Sequence, residues 1–195
     1  MNVAYQKALS RTKGDGLDFW RTPPQATQAL LDREKFKGIV LEPACGLGDM
    51  SRVLSKTNSV ISTDIVDRGW EGQNQIKDFN LYTSLKYDNV VTNPPFNLAE
   101  DFIKMALCVA RKKVAMLLKL EFLQSISRYK LFKDTPLKKV YVFSYRVPFW
   151  QDGYDKPISN QRHAWYVWEH GYGEEPILDW IDVPEGGVDR YWWKE

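Results

Sequence analysis

The chain alternates short apolar runs with stretches of helical spacing. Ile39-Val40-Leu41-Glu42, Val60-Ile61-Ser62-Thr63, Val90-Val91-Thr92 and Val114-Ala115-Met116-Leu117-Leu118 are continuous rather than alternating. Continuous runs of this length predict strands buried on both faces of a sheet. Gln75-Ile76-Lys77 reads as a shorter strand, and Leu137 to Ser144 and Ala164 to Trp168 read as the last two. Helices are predicted from Thr22 to about Arg33, from Asp49 to Lys56, from about Leu98 to Ala110 and over 122–133. The first carries its own start signal, with Thr22 as N-cap and Pro23-Pro24 in the first turn. Strands that alternate with helices imply an α/β fold with a mostly parallel sheet covered on both faces. The last two strands are joined by a loop of about 17–20 residues, which predicts a terminal antiparallel hairpin.

Composition adds boundaries to this picture. The 195 residues suit one domain over 17–195, after a polar, Gly-containing lead-in at 1–16. Hydrophobic content of 44% and charged content of 27% are those of an ordinary globular chain. No run of eighteen apolar residues exists, so no membrane span is expected, and the N-terminus lacks the apolar centre of a signal peptide. Cys45 and Cys108 have no metal-ligand spacing and form no disulfide framework, which fits a reducing cytoplasm and no metal site. The net charge of +2 permits an anionic partner without demanding one. Six of the eight tryptophans lie at or after Trp150. Of these, Trp165 and Trp168 are expected to fill a buried strand rather than bind a ligand.

Candidate chemistry gathers at the strand ends. Asn93-Pro94-Pro95-Phe96 follows the Val90 run, where a buried strand opens into a loop. Asn93 offers a side-chain carbonyl. Pro94 has no N–H, so its own carbonyl is a rigidly held second acceptor. Two adjacent acceptors suit the two hydrogens of an exocyclic amine, and Phe96 provides a flat face for the ring that carries it. Glu42-Pro43-Ala44-Cys45-Gly46-Leu47-Gly48 follows the first strand and opens a helix, and its glycines let a ligand approach the backbone. The GxGxxG fingerprint is absent, which argues against NAD. Asp64 closes the second strand, where a carboxylate accepts from ribose hydroxyls, and Asp78-Phe79 follows the third.

These elements, with Asp18-Phe19-Trp20-Arg21-Thr22-Pro23-Pro24 and Ala164-Trp165-Tyr166-Val167-Trp168, resemble the S-adenosylmethionine-dependent DNA N6-adenine methyltransferases of phage type, over about 150 residues and in the family's order. The resemblance implies a Rossmann-like class I methyltransferase fold, a seven-stranded sheet with its last strand antiparallel. It implies S-adenosyl-L-methionine as cofactor. Trp20, Thr22 and Pro23 are then expected at its methionine end, with Glu42, Pro43, Ala44 and Gly46 beside the amino-acid part. Asp64 and Ile65 are expected at the ribose, Asp78 and Phe79 at the adenine, and Asn93 at the reacting end. Asn93, Pro94, Pro95 and Phe96 are the implied catalytic set. In the 146–162 loop, Phe149 or Trp150 is expected to cover a flipped base, and Arg146, Lys156 and Arg162 to meet phosphates. Arg128, Lys130, Lys133, Lys138 and Lys139 read either as a solvated face or as a duplex-facing patch. His163 and His170 read as structural or solvent-facing. The implied partner is DNA, as duplex or single strand, in a bacterial or phage-infected cytoplasm. No large target-recognition segment is evident, so a specificity partner or a homodimer stays open, the tail from 171 to 195 being either a cap or a dimer surface. RNA adenine N6 transfer, protein glutamine N5 transfer and a non-catalytic cofactor-binding module are the alternatives.

Overall fold

The strand order decides which loops meet. The computed structural model describes residues 19–83, 87–151, 156–157, 160–190 and 192, so the lead-in at 1–16, Asp18, Tyr154 and Trp193 lie outside the described residues. The strands are β1 (Ile39–Glu42), β2 (Ser59–Asp64), β3 (Gln75–Ile76), β4 (Tyr87–Thr92), β5 (Ala110–Lys119), β6 (Leu137–Phe143), β7 (His163–Glu169) and β8 (Ile177–Ile181). They form one sheet in the order β3-β2-β1-β4-β5-β7-β6-β8. The five strands from β3 to β5 are parallel. β7 inserts antiparallel between β5 and β6, which gives the expected hairpin. The helices are α1 (Pro24–Leu31), α2 (Asp49–Leu54), α3 (Ala99–Val109) and α4 (Ile126–Asp134).

The sheet is buried on both sides because neighbouring residues of each central strand feed different cores. Val40, Val91, Ala115, Leu117, Trp165 and Val167 pack on one face with Ala26 and Leu30 of α1 and Met50, Val53 and Leu54 of α2. Leu41, Val90, Val114, Met116, Tyr166 and Trp168 pack on the other with Phe102, Ile103 and Ala106 of α3. Trp165 and Trp168 are fully buried, and their indole N–H groups donate to the Ala26 carbonyl at 2.8 Å and to Thr135 Oγ1 at 3.1 Å. A side chain of this size fills a core, and its one polar atom finds a partner there.

Three local expectations are corrected. The sheet has eight strands, not seven: β8 lies in the tail and runs parallel to β6, with Lys139 opposite Ile177 and Phe143 opposite Ile181. The helix expected over 122–133 begins at Ile126, and Leu120–Leu123 forms a separate 3-10 turn. Thr22 does not cap α1. Pro23 is the N-cap, with no side-chain cap, and Thr22 lies one residue ahead of it, its hydroxyl oxygen accepting from Asn93. Ile181 and Trp192 are the buried residues of the tail among those described, and Trp192 Nε1 donates to the Pro148 carbonyl at 2.9 Å. No helix among the described residues is long and apolar enough to cross a membrane.

Candidate active site

The chain runs outward from β1 to β2 and β3, then returns to place β4 on the other side of β1. The loops after β1 and β4 therefore diverge, and a crevice opens at the carboxyl end of the sheet. Glu42–Cys45 form one wall of it and Asn93–Phe96 the other. Glu42, Pro43, Ala44, Asp64, Ile65, Asp78, Phe79, Asn93, Pro94, Pro95 and Phe96 all line this first cleft, joined by Trp20 and Thr22 from the N-terminal segment. Pro23 and Gly46 line neither this cleft nor its neighbour. Gly46 acts from behind. It sits at φ 55°, and a Cβ there would meet the Phe19 ring at 2.3 Å, so only glycine fits.

Buried carboxyl groups dominate the floor. Asp64 accepts from the Gly46 N–H at 2.9 Å and the Val66 N–H at 3.0 Å, which ties the glycine turn to the end of β2. Burial raises its pKa, and the Gly46 and Val66 bonds oppose that rise. Each oxygen still has a lone pair for a ligand hydroxyl. Asp78 closes a small turn by accepting from Asn80 N at 2.9 Å and Nδ2 at 3.0 Å. Phe79 is anchored behind the cleft, its ring 5.0 Å from Phe102. Glu42 is 2% exposed and receives the Ser51 hydroxyl. Burial pushes its pKa well above the usual carboxylate range; the Ser51 bond resists, and the nearby Asp49 and Asp64 add to the rise. The Cys45 thiol is pushed up by burial and by Glu42 and Asp64, so no thiolate nucleophile forms there.

Glu42 gives a signed pH effect. A carboxyl with a raised native pKa binds its proton more tightly folded than unfolded. Its contribution is complete below the ordinary Glu value and is lost as pH rises towards the native one. Glu42→Gln removes that titration while keeping the shape. The variant is expected to match wild type in acid and to melt progressively higher than wild type as pH rises. Paired thermal melts across pH measure the difference; a difference that does not vary with pH would sink the assignment.

The Asn93 amide is oriented by a long-range contact. Its Nδ2 donates to Thr22 Oγ1 at 3.0 Å, which turns Oδ1 the other way. That oxygen is buried and has no hydrogen-bond partner among the described residues. A buried carbonyl without a donor is unfavourable by about 1–3 kcal/mol, so it marks a place where a donor from outside is to be received. Thr22 is held there through its neighbour. Arg21 makes a bidentate pair with Asp49, at 2.8 and 2.7 Å, lies over the Trp150 and Trp192 rings, and exchanges backbone hydrogen bonds with Trp150. Sequence reasoning did not single out Arg21 or Asp49. The only signal was a cation beside Thr22 and an acid opening α2.

A second cleft adjoins the first and shares Trp20, Phe96 and Asn97 with it. Its remaining lining is mostly aromatic and polar, with Phe122, Phe149, Lys119, Arg128, Gln161 and His163 among it. Phe149 is buried and lines this cleft, whereas Trp150 stacks on Arg21 and lines neither cleft. Arg146, Lys156 and Arg162 are exposed on the surrounding loop. The basic stretch is largely neutralised: Lys138 pairs with Glu169 at 2.9 Å, Lys133 with Glu175 at 3.3 Å and Lys139 with Glu34 at 3.5 Å. Of that stretch only Arg128 reaches the cleft, over the Phe122 ring. No cluster of His, Cys, Asp or Glu among the described residues is placed to hold a metal ion.

No protein-family model matches the sequence, and no curated protein matches it. Solved structures do. A Pyrococcus horikoshii protein assigned as an RNA methyltransferase superposes with a TM-score of 0.60 at 17% identity, over 87% of this chain and 98% of the other. A modification subunit assigned to a type I restriction enzyme of Vibrio vulnificus gives 0.60 at 14% identity, over 95% and 54%. A Listeria monocytogenes protein assigned as a class I S-adenosylmethionine-dependent methyltransferase gives 0.56 at 12%, over 83% and 64%. The fold is therefore the Rossmann-like α/β fold of the class I methyltransferases, here with an eighth strand at one edge.

Proposed function

We propose that this chain methylates the exocyclic N6 amine of adenine in DNA, using S-adenosyl-L-methionine held in the first cleft. The observation that carries the reading is the buried Oδ1 of Asn93, unpartnered among the described residues and part of the lining of the first cleft. The first cleft fits the cofactor: a backbone turn that only glycine can make, a carboxylate at the end of β2 for a ribose diol, and Asp78 with Phe79 for a purine ring. When bound, S-adenosyl-L-methionine supplies a methyl group on an electron-poor sulfonium.

The residues do the rest by positioning. The lone pair of an adenine amine is spread into the ring and is weakly nucleophilic. Asn93 Oδ1 and the Pro94 carbonyl each accept one amine hydrogen. That favours a tetrahedral nitrogen and stabilises the positive charge it acquires. Phe96 stacks on the base, and Phe149 and Phe122 complete an aromatic enclosure that suits a flipped ring better than a glutamine side chain. The proton leaves to water, so no buried base is required. Arg146, Lys156 and Arg162 meet phosphates around the loop that reads the target, and a partner protein or second copy extends that reading. The same site accommodates adenine in RNA; the Pyrococcus protein is assigned as an RNA methyltransferase.

The test is methyl transfer from labelled cofactor to DNA, RNA and protein in parallel, followed by digestion. Label in N6-methyldeoxyadenosine is expected. Label in N6-methyladenosine alone would move the substrate to RNA. Label in glutamine, or none, would overturn the reading.

A further inference from the structure

β7 runs against its neighbours, so it begins at the edge of the sheet where β4 and β5 end. Its first residue, His163, pairs in register with Lys119, the last of β5. This puts an imidazole into the second cleft, which Phe96 of the β4 loop also lines. His163 is 3% exposed. Its ring centre lies 4.5 Å from that of Phe149 and 5.6 Å from that of Phe96. Neither Nδ1 nor Nε2 has a hydrogen-bond partner among the described residues. Burial and the Lys119 ammonium lower the pKa to about 4, with only the Gln161 backbone acting the other way. The ring is thus neutral at physiological pH, with one N–H donor and one bare nitrogen.

A histidine used only for packing is a poor choice here. Phenylalanine fills the same space between two aromatic rings without leaving polar atoms unmatched, and buried polar atoms are normally paired. Among the described residues no ion pair engages the ring and no hydrogen bond of full geometry reaches either nitrogen, the Gln161 backbone only lying near it. The unpaired nitrogens do adjoin a cleft built for a flat ring. The ring nitrogens of adenine are hydrogen-bond acceptors, and a neutral imidazole N–H is a matching donor.

We infer that His163 donates its imidazole N–H to a ring nitrogen of the adenine whose amine Asn93 holds, and so acts as a specificity residue for that base. The inference rests on the adenine reading above and deepens it. It gives the buried imidazole at the start of β7 a role beside that of the β4 loop that grips the amine: two separate contacts fix the base in its own plane.

The experiment compares wild type, His163→Phe and His163→Gln on random-sequence single-stranded DNA pools. One pool carries adenine; in the others every adenine is replaced by 1-deazaadenine, 3-deazaadenine or 7-deazaadenine. On adenine, His163→Phe is expected to lower kcat/KM by about 10- to 100-fold, and His163→Gln to recover part of it through its amide N–H. On the one analogue that lacks the accepted nitrogen, wild type is expected to fall towards the variant, so that the penalty nearly vanishes. Affinity for S-adenosylhomocysteine, measured by calorimetry, is expected to stay unchanged and reports folding. If His163→Phe loses that affinity, His163→Gln carries the same comparison. An equal penalty on all four pools overturns the inference alone, since a packing role does not sense a ring nitrogen. A wild-type protein that methylates no adenine in any pool overturns both the inference and the adenine reading.

Discussion

Asn93→Ala is expected to lower single-turnover methylation by about 100-fold or more while leaving affinity for S-adenosylhomocysteine nearly unchanged. The asymmetry follows from geometry. Asn93 touches the cofactor cleft as one residue of a long lining, but its Oδ1 is the buried acceptor left without a donor. An acceptor aimed at a nitrogen that becomes positively charged contributes more in the transition state than in the ground state. Thr22→Val serves as the companion variant. It removes the hydroxyl that fixes the amide at 3.0 Å, so the amide is free to turn, and the expected loss is smaller, about 3- to 10-fold. Single-turnover rates with excess enzyme, alongside calorimetry with S-adenosylhomocysteine, separate the two quantities. A folded Asn93→Ala protein that transfers methyl groups at nearly the native rate would remove the central support for the proposed reaction.

The parts of this site that a reader can take from sequence are those that depend on one strand and the turn after it. β1, β2, β4 and β5 are continuous apolar runs because both faces of a parallel sheet are covered, and proline marks where the chain leaves the sheet after β1 and β4. Glu42, Asp64 and Asn93 are legible for that reason, since each closes or follows such a strand, and Asp78 follows the short β3. What sequence hides is anything set by pairing at long range. Thr22 satisfies the rule for an N-cap, yet its hydroxyl goes to Asn93, and no local rule weighs a competitor 71 positions away. Arg21 and Asp49 are unremarkable alone and become a bidentate pair only when the N-terminal segment folds back over α2. His163 acquires its place from the β5–β7 register, which a linear reading does not contain.

β8 was missed for a different reason. Four of its five residues are exposed, and acids surround it, so the burial that normally writes a strand into a sequence is absent. Backbone pairing with β6 defines it instead. The same argument places it outside the site. It lies at the sheet edge, three strands beyond β5, whereas both clefts open around the ends of β1, β4, β5 and β7.

Asp64→Ala is expected to weaken S-adenosylhomocysteine binding by about 1.5–3 kcal/mol, or roughly 10- to 150-fold. Asp64 is 8% exposed, and its two oxygens already bind the Gly46 and Val66 N–H groups. The variant therefore loses two things together: an acceptor for the ligand diol and the tie that holds the glycine turn against β2. Asp64→Asn separates them in part. It keeps the shape and one accepting oxygen, but sets an NH2 group against a backbone N–H and removes the charge, so it too is expected to bind poorly. Acidification gives an independent sign. Burial raises the native pKa of Asp64, and ligand hydroxyls bind its ionised form best. Wild-type affinity is then expected to fall with pH, starting above the ordinary Asp range, while affinity of Asp64→Ala varies less over the same interval. Calorimetric titrations across pH, on proteins whose thermal melts show a single folded state, measure both effects. Unchanged affinity in folded Asp64→Ala would place the ribose elsewhere in the cleft and leave Asp64 as a brace for the Gly46 turn.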